Sequence, residues 1–228
     1  MASAPFIVAI DGPAGAGKST VSKLLAKRLG FALVDTGAIY RTVALAATRQ
    51  GIALDDDAAL AKLLPTLEIR FQLAGDENRV SLGGEDVSAA IRTPEMSKAA
   101  SAVSARPVVR DGLLELQRRL ARAAPSGAVL EGRDIGTVVF PDAQAKFFLT
   151  AASRQRAERR HKELLAKGQT ASLEQVLAEQ GQRDRDDSMR EVAPLRAAQD
   201  AVVLDSTDLG LDQVVAAMEA EIRQRMPR

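Results

Sequence analysis

The sequence predicts an α/β fold, a parallel sheet with helices on both faces, on three observations. Short apolar runs alternate along the chain with amphipathic stretches of helical period. A glycine-rich segment, GPAGAGKST at residues 12–20, stands between the first apolar run and the first amphipathic stretch. Hydrophobic residues make up 46% of the 228, enough for a sizeable core and too many for a disordered chain.

Residues 6–10, FIVAI, form a short run with the β-branched pair Ile7 and Val8, as expected of a buried central strand. A helix follows over 18–29, with Val21, Leu24, Leu25 and Leu29 on one face and Gly30 as its C-terminal cap. Residues 31–34 read as a second strand. A helix over 37–50 closes at Gly51, and a shorter one over 55–64 is ended by Pro65. The period then changes. Residues 67–73 alternate strictly, 74–78 supply a turn, and 79–82 alternate again before Gly83-Gly84, which predicts a half-exposed antiparallel patch. Helices resume over 94–104 and 107–123, each opened by a proline suited to a first turn. Residues 128–130 and 146–150 read as core strands, and Ser153 and Ser172 as caps of two polar helices. A last buried strand over 201–204 feeds a helix over 211–225. In such a sheet the ligand is expected beyond the carboxyl ends of the strands, where residues 12–20 lie.

Composition narrows the function. A net charge of +1 gives no global basic field, and one Tyr, six Phe and no Trp leave few stacking platforms, so nucleic acid is not an expected partner. Without cysteine, and with His161 as the single histidine, neither a disulfide framework nor a multi-histidine zinc site can be built. The N-terminal MASAPFIVAIDG has neither a basic start nor a long apolar core, and the apolar windows elsewhere are short. A cytoplasmic protein without membrane segments is the expectation.

Residues 12–19 satisfy G-x-x-x-x-G-K-[ST], with a strand before and a helix after. Gly12, Pro13, Ala14, Gly15, Ala16, Gly17, Lys18, Ser19 and Thr20 are therefore expected to bind a nucleoside triphosphate. Glycines let backbone N–H groups turn towards a β-phosphate, Lys18 reaches the β/γ oxygens, and Ser19 can offer its hydroxyl to Mg²⁺. The loop does not name the acceptor. A switch GTPase would need an Asn/Thr-Lys-x-Asp element, yet the sole Asn78 precedes Arg79 and no threonine precedes a lysine. No coupling elements of a motor ATPase are present either, which leaves a compact phosphotransferase.

Transfer to a second phosphate brings two anions together, so cations must surround them. Four arginine sets qualify. Arg41 sits one turn into the helix after Asp35-Thr36-Gly37, where a helix cap with a surface arginine is an equal reading. Glu131, Arg133 and Asp134 cluster at a strand's carboxyl end. Arg154, Arg156, Arg159 and Arg160 share one polar helix, which suits a mobile lid or a solvated face. Arg183, Asp187 and Arg190 align at spacings of four and three, which a surface salt bridge also explains.

Together, GPAGAGKST, DTGAIYR, EDVSAAIRTPEMSKAASAVSARPVVR, EGRDIGTVVFPDA and RDRDDSMREVAPL closely resemble the bacterial cytidylate kinase family, in its order and over nearly the whole chain. The resemblance implies a P-loop nucleoside monophosphate kinase fold as a single domain over residues 1–228. Within it are expected a monophosphate-binding arm over about 37–112, carrying a small antiparallel β insert over about 65–92, and a lid over about 153–170. It implies ATP-dependent phosphorylation of CMP and dCMP by a monomer using Mg-ATP bound at residues 12–20, with Mg²⁺ on Ser19. Lys18, Arg41, Arg133 and Arg190 would be catalytic, and Arg156, Arg159 and Arg160 would belong to the lid. Thr36, Arg41, Arg92, Arg133 and Arg190 would hold the acceptor, Ser101, Arg110 and Asp134 would read cytosine, and Arg183 and Asp187 would meet the pentose. Asp35 is left between a role behind Mg²⁺ and a structural role at the strand end. A UMP or dTMP kinase, a nucleotide-sensing protein and a nucleic-acid-bound ATPase are the rival readings, each separable by assay.

Overall fold

The computed structural model describes residues 4–74, 77–166 and 168–226. The tip of the turn expected at 74–78, position 167 of the expected lid and the first three residues of the N-terminal stretch lie outside the described residues. In chain order the elements are β1 (Phe6–Asp11), α1 (Lys18–Leu29), β2 (Ala32–Asp35), α2 (Thr36–Arg49), α3 (Asp57–Leu63), β3 (Ile69–Ala74), β4 (Glu77–Leu82), β5 (Glu85–Asp86), α4 (Pro94–Ser104), α5 (Pro107–Arg122), β6 (Gly127–Gly132), β7 (Ala145–Thr150), α6 (Ser153–Ala166), α7 (Leu173–Met189), β8 (Val202–Asp205) and α8 (Leu211–Arg225). Two compact units result, one of Met1–Leu33 with Ala121–Arg228 and the other of Val34–Leu120.

The first unit is built on a five-stranded sheet in the order β2-β6-β1-β7-β8. Central β1 runs parallel to β6, from Phe6 opposite Gly127 to Asp11 opposite Gly132, and parallel to β7 on its other edge. Buried along its whole length, β1 has no polar face to show, hence the unbroken apolar run. Phe6, Val8, Ile10, Val129, Phe147 and Leu149 share a core with Val21 and Leu25 of α1 and with Val214, Met218 and Ile222 of α8. Each such side chain contributes about 1.5–3 kcal/mol by leaving water. Gly30 ends α1 in the left-handed region, as expected of its cap.

The second unit holds a three-stranded antiparallel sheet, β3-β4-β5, in which Ile69 pairs with Leu82 and Ala74 with Glu77. The expected alternation over 67–82 thus forms the expected hairpin. Its third strand, β5, has only two residues and was not expected. Asp35 accepts from the Ala38 N–H at 2.8 Å and caps α2, which packs against α4.

Two sequence expectations need correction, and one further element was not foreseen. β8 is an edge strand rather than a buried one, pairing only with β7 in this sheet and alternating in exposure, with Val203 60% exposed. Ser153 is the first residue of α6 rather than its cap, and its hydroxyl accepts from Arg156 Nη2 at 3.2 Å. The chain after β6 forms a π-helical turn, Ile135–Val139, that no local signal announced. Ser172, by contrast, caps α7 in a complete capping box with Gln175.

Candidate active site

The glycine-rich loop leaves the carboxyl end of β1 and enters α1, at the point where the chain connections diverge to β6 on one side and β7 on the other. At Gly12 φ is +150°, and a Cβ there would lie 2.0 Å from the Leu149 carbonyl oxygen, so only glycine lets the chain turn past β7. Gly17, at φ +91°, starts α1 with its first N–H groups facing the loop. Lys18, 7% exposed, donates from Nζ to the Gly12 and Pro13 carbonyls at 2.8 Å each. Burial, then repulsion from Arg133, pulls its ammonium down to about 7. Arg133 and Arg183 are close enough to repel the ammonium, and an anion bound among them would favour its charged form. Ser19 Oγ donates to Glu131 Oε2 at 2.8 Å, which sets a hydroxyl beside a buried carboxylate. Among the described residues, no group of three or more His, Cys, Asp or Glu side chains could hold a metal by itself.

Asp11, the last residue of β1, is a site residue that sequence reasoning missed. Both of its carboxylate oxygens accept backbone N–H groups at the start of the π-helical turn, Oδ1 from Ile135 and Oδ2 from Gly136, at 2.8 Å each. A charged residue closing an otherwise apolar strand, just before the loop, was the available signal. This pairing fixes the turn that immediately follows Arg133 and Asp134. Burial pushes the Asp11 carboxyl up to about 6 and Asp134 adds to the rise, against the two N–H groups and Lys18. A raised acid pKa means that the folded chain holds the proton more tightly. The corresponding stability is full below the unfolded value of 3.8 and is lost as pH climbs through about 6, an effect of about 3 kcal/mol. Denaturant titrations at pH 4 and pH 7 should show wild type losing about that much relative to Asp11→Asn. A constant gap between the two proteins would remove this account.

Behind the turn, Arg133, Asp187 and Arg190 form one buried ionic group. Arg133 Nε donates to Asp187 Oδ2 at 2.8 Å, and Arg190 Nη1 lies 3.6 Å from Asp187 Oδ1. Arg190 Nε also donates to the Ala193 carbonyl at 2.9 Å, aimed by a left-handed backbone at Ala193. Burial alone would raise the Asp187 carboxyl and is the largest single influence. Arg133, Arg183 and Arg190 together outweigh it and hold the carboxyl below its usual value. Asp187 thus binds arginines from two elements rather than forming a surface salt bridge with Arg183 alone. Asp134 is buried beside Arg133, and its carbonyl accepts from Val138 and Val139.

The four arginines of α6 do not share one environment. Arg154 and Arg160 pair on the helix surface with Glu158 at 3.1 Å and Glu163 at 3.2 Å. Arg159 donates to the Ser206 carbonyl at 2.7 Å. Arg156 is buried against the glycine-rich loop, so the solvated-face reading fails for it.

In the second unit, Arg41 Nη2 donates to Asp35 Oδ2 at 2.9 Å, one turn along α2 from the buried Thr36. Asp35 is thus engaged as a helix cap and as the Arg41 partner, which favours its structural role at the strand end. Arg110 is buried on α5, donates to the Ser104 carbonyl at 3.1 Å and lies 5.5 Å from the Tyr40 ring centroid. Ser101 lies on α4, three residues before Ser104. Arg92, exposed, reaches the Asn78 carbonyl at 3.3 Å. No helix of the described residues is long and apolar enough to cross a membrane.

Comparison with known proteins identifies the family. The family model described as cytidylate kinase matches residues 8–224. The chain is 58% identical over 220 residues to the cytidylate kinase of Geobacter sulfurreducens, covering 96% of this chain and 94% of that protein. It is 56% identical, at the same coverage, to the cytidylate kinase of Citrifermentans bemidjiense. An uncharacterized protein from Eubacterium ventriosum superposes with a TM-score of 0.51 at 13% identity, over 96% of this chain and 98% of that one, a likeness of fold alone. With a matching family model spanning nearly its whole length and relatives identical at more than half their positions, the chain belongs to the cytidylate kinase family.

Proposed function

We propose that this chain transfers the γ-phosphoryl group of ATP to CMP and dCMP, giving the diphosphates, by direct in-line attack of an acceptor phosphate oxygen. The supporting observation is the glycine-rich loop with its buried Lys18, which Arg133 adjoins, in a chain of this family. The acceptor is already anionic, so no covalent enzyme intermediate is needed, and catalysis consists of positioning and charge stabilisation.

Residues 12–20 would hold the ATP phosphates on backbone N–H groups, with Lys18 swinging from its carbonyl partners to the β/γ oxygens. Mg²⁺ fits this chemistry: the Ser19 hydroxyl and the Glu131 carboxylate are adjacent hard oxygen donors of the kind the ion takes. When bound, Mg²⁺ neutralises charge on the β and γ oxygens. Arg41, Arg92, Arg133 and Arg190 are the proposed cations for the acceptor phosphate and the moving group, with Thr36 adding a hydroxyl. Arg183 and Asp187 would meet the pentose. Cytosine offers an exocyclic amine beside ring acceptors, so buried Asp134 would accept from the amine while Arg110 donates, with Ser101, to the acceptors. The Val34–Leu120 unit is the proposed monophosphate arm, and about 153–170 the lid, with Arg159 and Arg160 as its phosphate contacts. The proposed setting is a cytoplasmic monomer that binds neither nucleic acid nor membrane.

The test is an ATP-dependent panel of CMP, dCMP, UMP, dTMP and AMP, read as diphosphate formed. CMP and dCMP should lead. UMP should trail by about one to two orders of magnitude in kcat/KM, because a mismatched buried donor or acceptor costs about 1–3 kcal/mol. Equal efficiency on UMP would remove the cytosine assignment, and ATP consumption without any diphosphate product would remove the kinase reading.

A further inference from the structure

The face of the glycine-rich loop that points towards α6 and α7 is held by two side chains, with a third packed against it. Asp184, on α7, accepts the Ala14 N–H on Oδ1 at 3.3 Å. Arg156, on α6, donates from Nη1 both to the Ala14 carbonyl at 2.8 Å and to Asp184 Oδ2 at 2.6 Å. Arg156 is itself fixed: Nε donates to the Ala151 carbonyl at 2.9 Å and Nη2 to Ser153 Oγ at 3.2 Å. The third side chain is Gln180, one turn before Asp184. A Cβ on Gly15 would lie 2.6 Å from Gln180 Nε2 and 3.1 Å from the Arg156 carbonyl oxygen. Both polar groups of Ala14 are thus held by one ion pair, its Arg156 buried and its Asp184 partly so, and Gly15, at φ +75°, is fitted against the two helices.

We propose that Asp184 is a positioning residue for ATP: with Arg156 it holds the Ala14 peptide from outside the loop, so that α6 and α7 set the curvature in which the phosphates sit. The physical reason is geometric. Backbone N–H groups bind an anion well only when several converge before it arrives, and a glycine-rich loop has little stiffness of its own. A charge-assisted clamp anchored on buried Arg156 supplies that stiffness. It also makes the loop and the α6–α7 pair one mechanical unit, so any movement of α6 is felt at Ala14.

The inference rests on the reading of this loop as the ATP site, so binding is measured without acceptor. Calorimetric titration of Asp184→Ala with MgATP should show Kd raised about ten-fold, the scale of one lost charge-assisted hydrogen bond. The Kd for CMP, titrated alone, should stay within about two-fold, since Asp184 bonds to Ala14 and Arg156, at the ATP side of the proposed site. Arg156→Lys keeps the charge and loses the two-pronged geometry, so it should weaken ATP in the same direction even if Asp184→Ala folds poorly. An unchanged ATP Kd, or an equal rise for CMP, overturns the clamp. Wild-type protein that binds ATP yet leaves CMP unphosphorylated would defeat the proposed acceptor while leaving the clamp standing, and wild type that binds no ATP would defeat both.

Discussion

Lys18→Ala is expected to lower kcat/KM by about three orders of magnitude, some 4 kcal/mol of transition-state stabilisation, while the protein stays folded. The ammonium is the one point charge carried by the loop, and it donates to the Gly12 and Pro13 carbonyls. Removing it costs Glu131 and Asp11 an attractive charge, but it also ends the burial of an ammonium and its repulsion with Arg133 and Arg183, which together pull it down to about 7. The thermal midpoint should therefore move by only a few degrees, as expected of a change of about 1 kcal/mol. Lys18→Arg should not rescue the rate, because a broad planar guanidinium does not replace a compact ammonium at a side chain so nearly buried. Steady-state kinetics beside thermal unfolding settle the matter: a kcat/KM within ten-fold of wild type would remove Lys18 from the transition state.

What the residues disclosed and what they withheld divide along the range of the interactions. The glycine-rich loop is legible because its function is written into consecutive backbone conformations, Gly12 and Gly17 among them. α1 and α8 are legible because one apolar face repeats over three turns or more. The turn after Arg133 was not legible, since it is held by Asp11, more than a hundred positions earlier in the chain. For the same reason the pattern on α6 misled. Helical spacing grouped four arginines on a polar surface, whereas Arg156 is buried by contacts with Ala14 and Asp184 that no local window contains. β8 looked like core because its residues are apolar, and only the strand order places it at an edge. Sequence pattern reports what a segment can bury, and topology decides what is there to bury it.

Asp187→Ala should have the largest effect on stability of any single change in the site, about 3–5 kcal/mol, because it breaks a buried ion pair from one side only. Arg133 and Arg190 would be left facing one another with their shared anion gone, and Arg183 would lose its countercharge as well. Asp187→Asn is the informative companion. It keeps an oxygen for the Arg133 Nε–H and so should cost less, yet it cannot balance the guanidinium charges. The effect also has a direction in pH. The folded Asp187 carboxyl lies below its usual value, so its contribution is present above the ordinary carboxylate range and disappears as pH falls through the lower, folded value. The gap in unfolding free energy between wild type and Asp187→Asn should be wide at pH 7 and should close in strong acid. Added salt should change it little, because the pair is buried and poorly screened. If Arg133 and Arg190 meet the acceptor as proposed, the KM for CMP should rise in both variants with the KM for ATP much less affected. A gap that is flat in pH would mean that Asp187 matters for packing and not for its charge, and equal losses for both substrates would detach the two arginines from the acceptor.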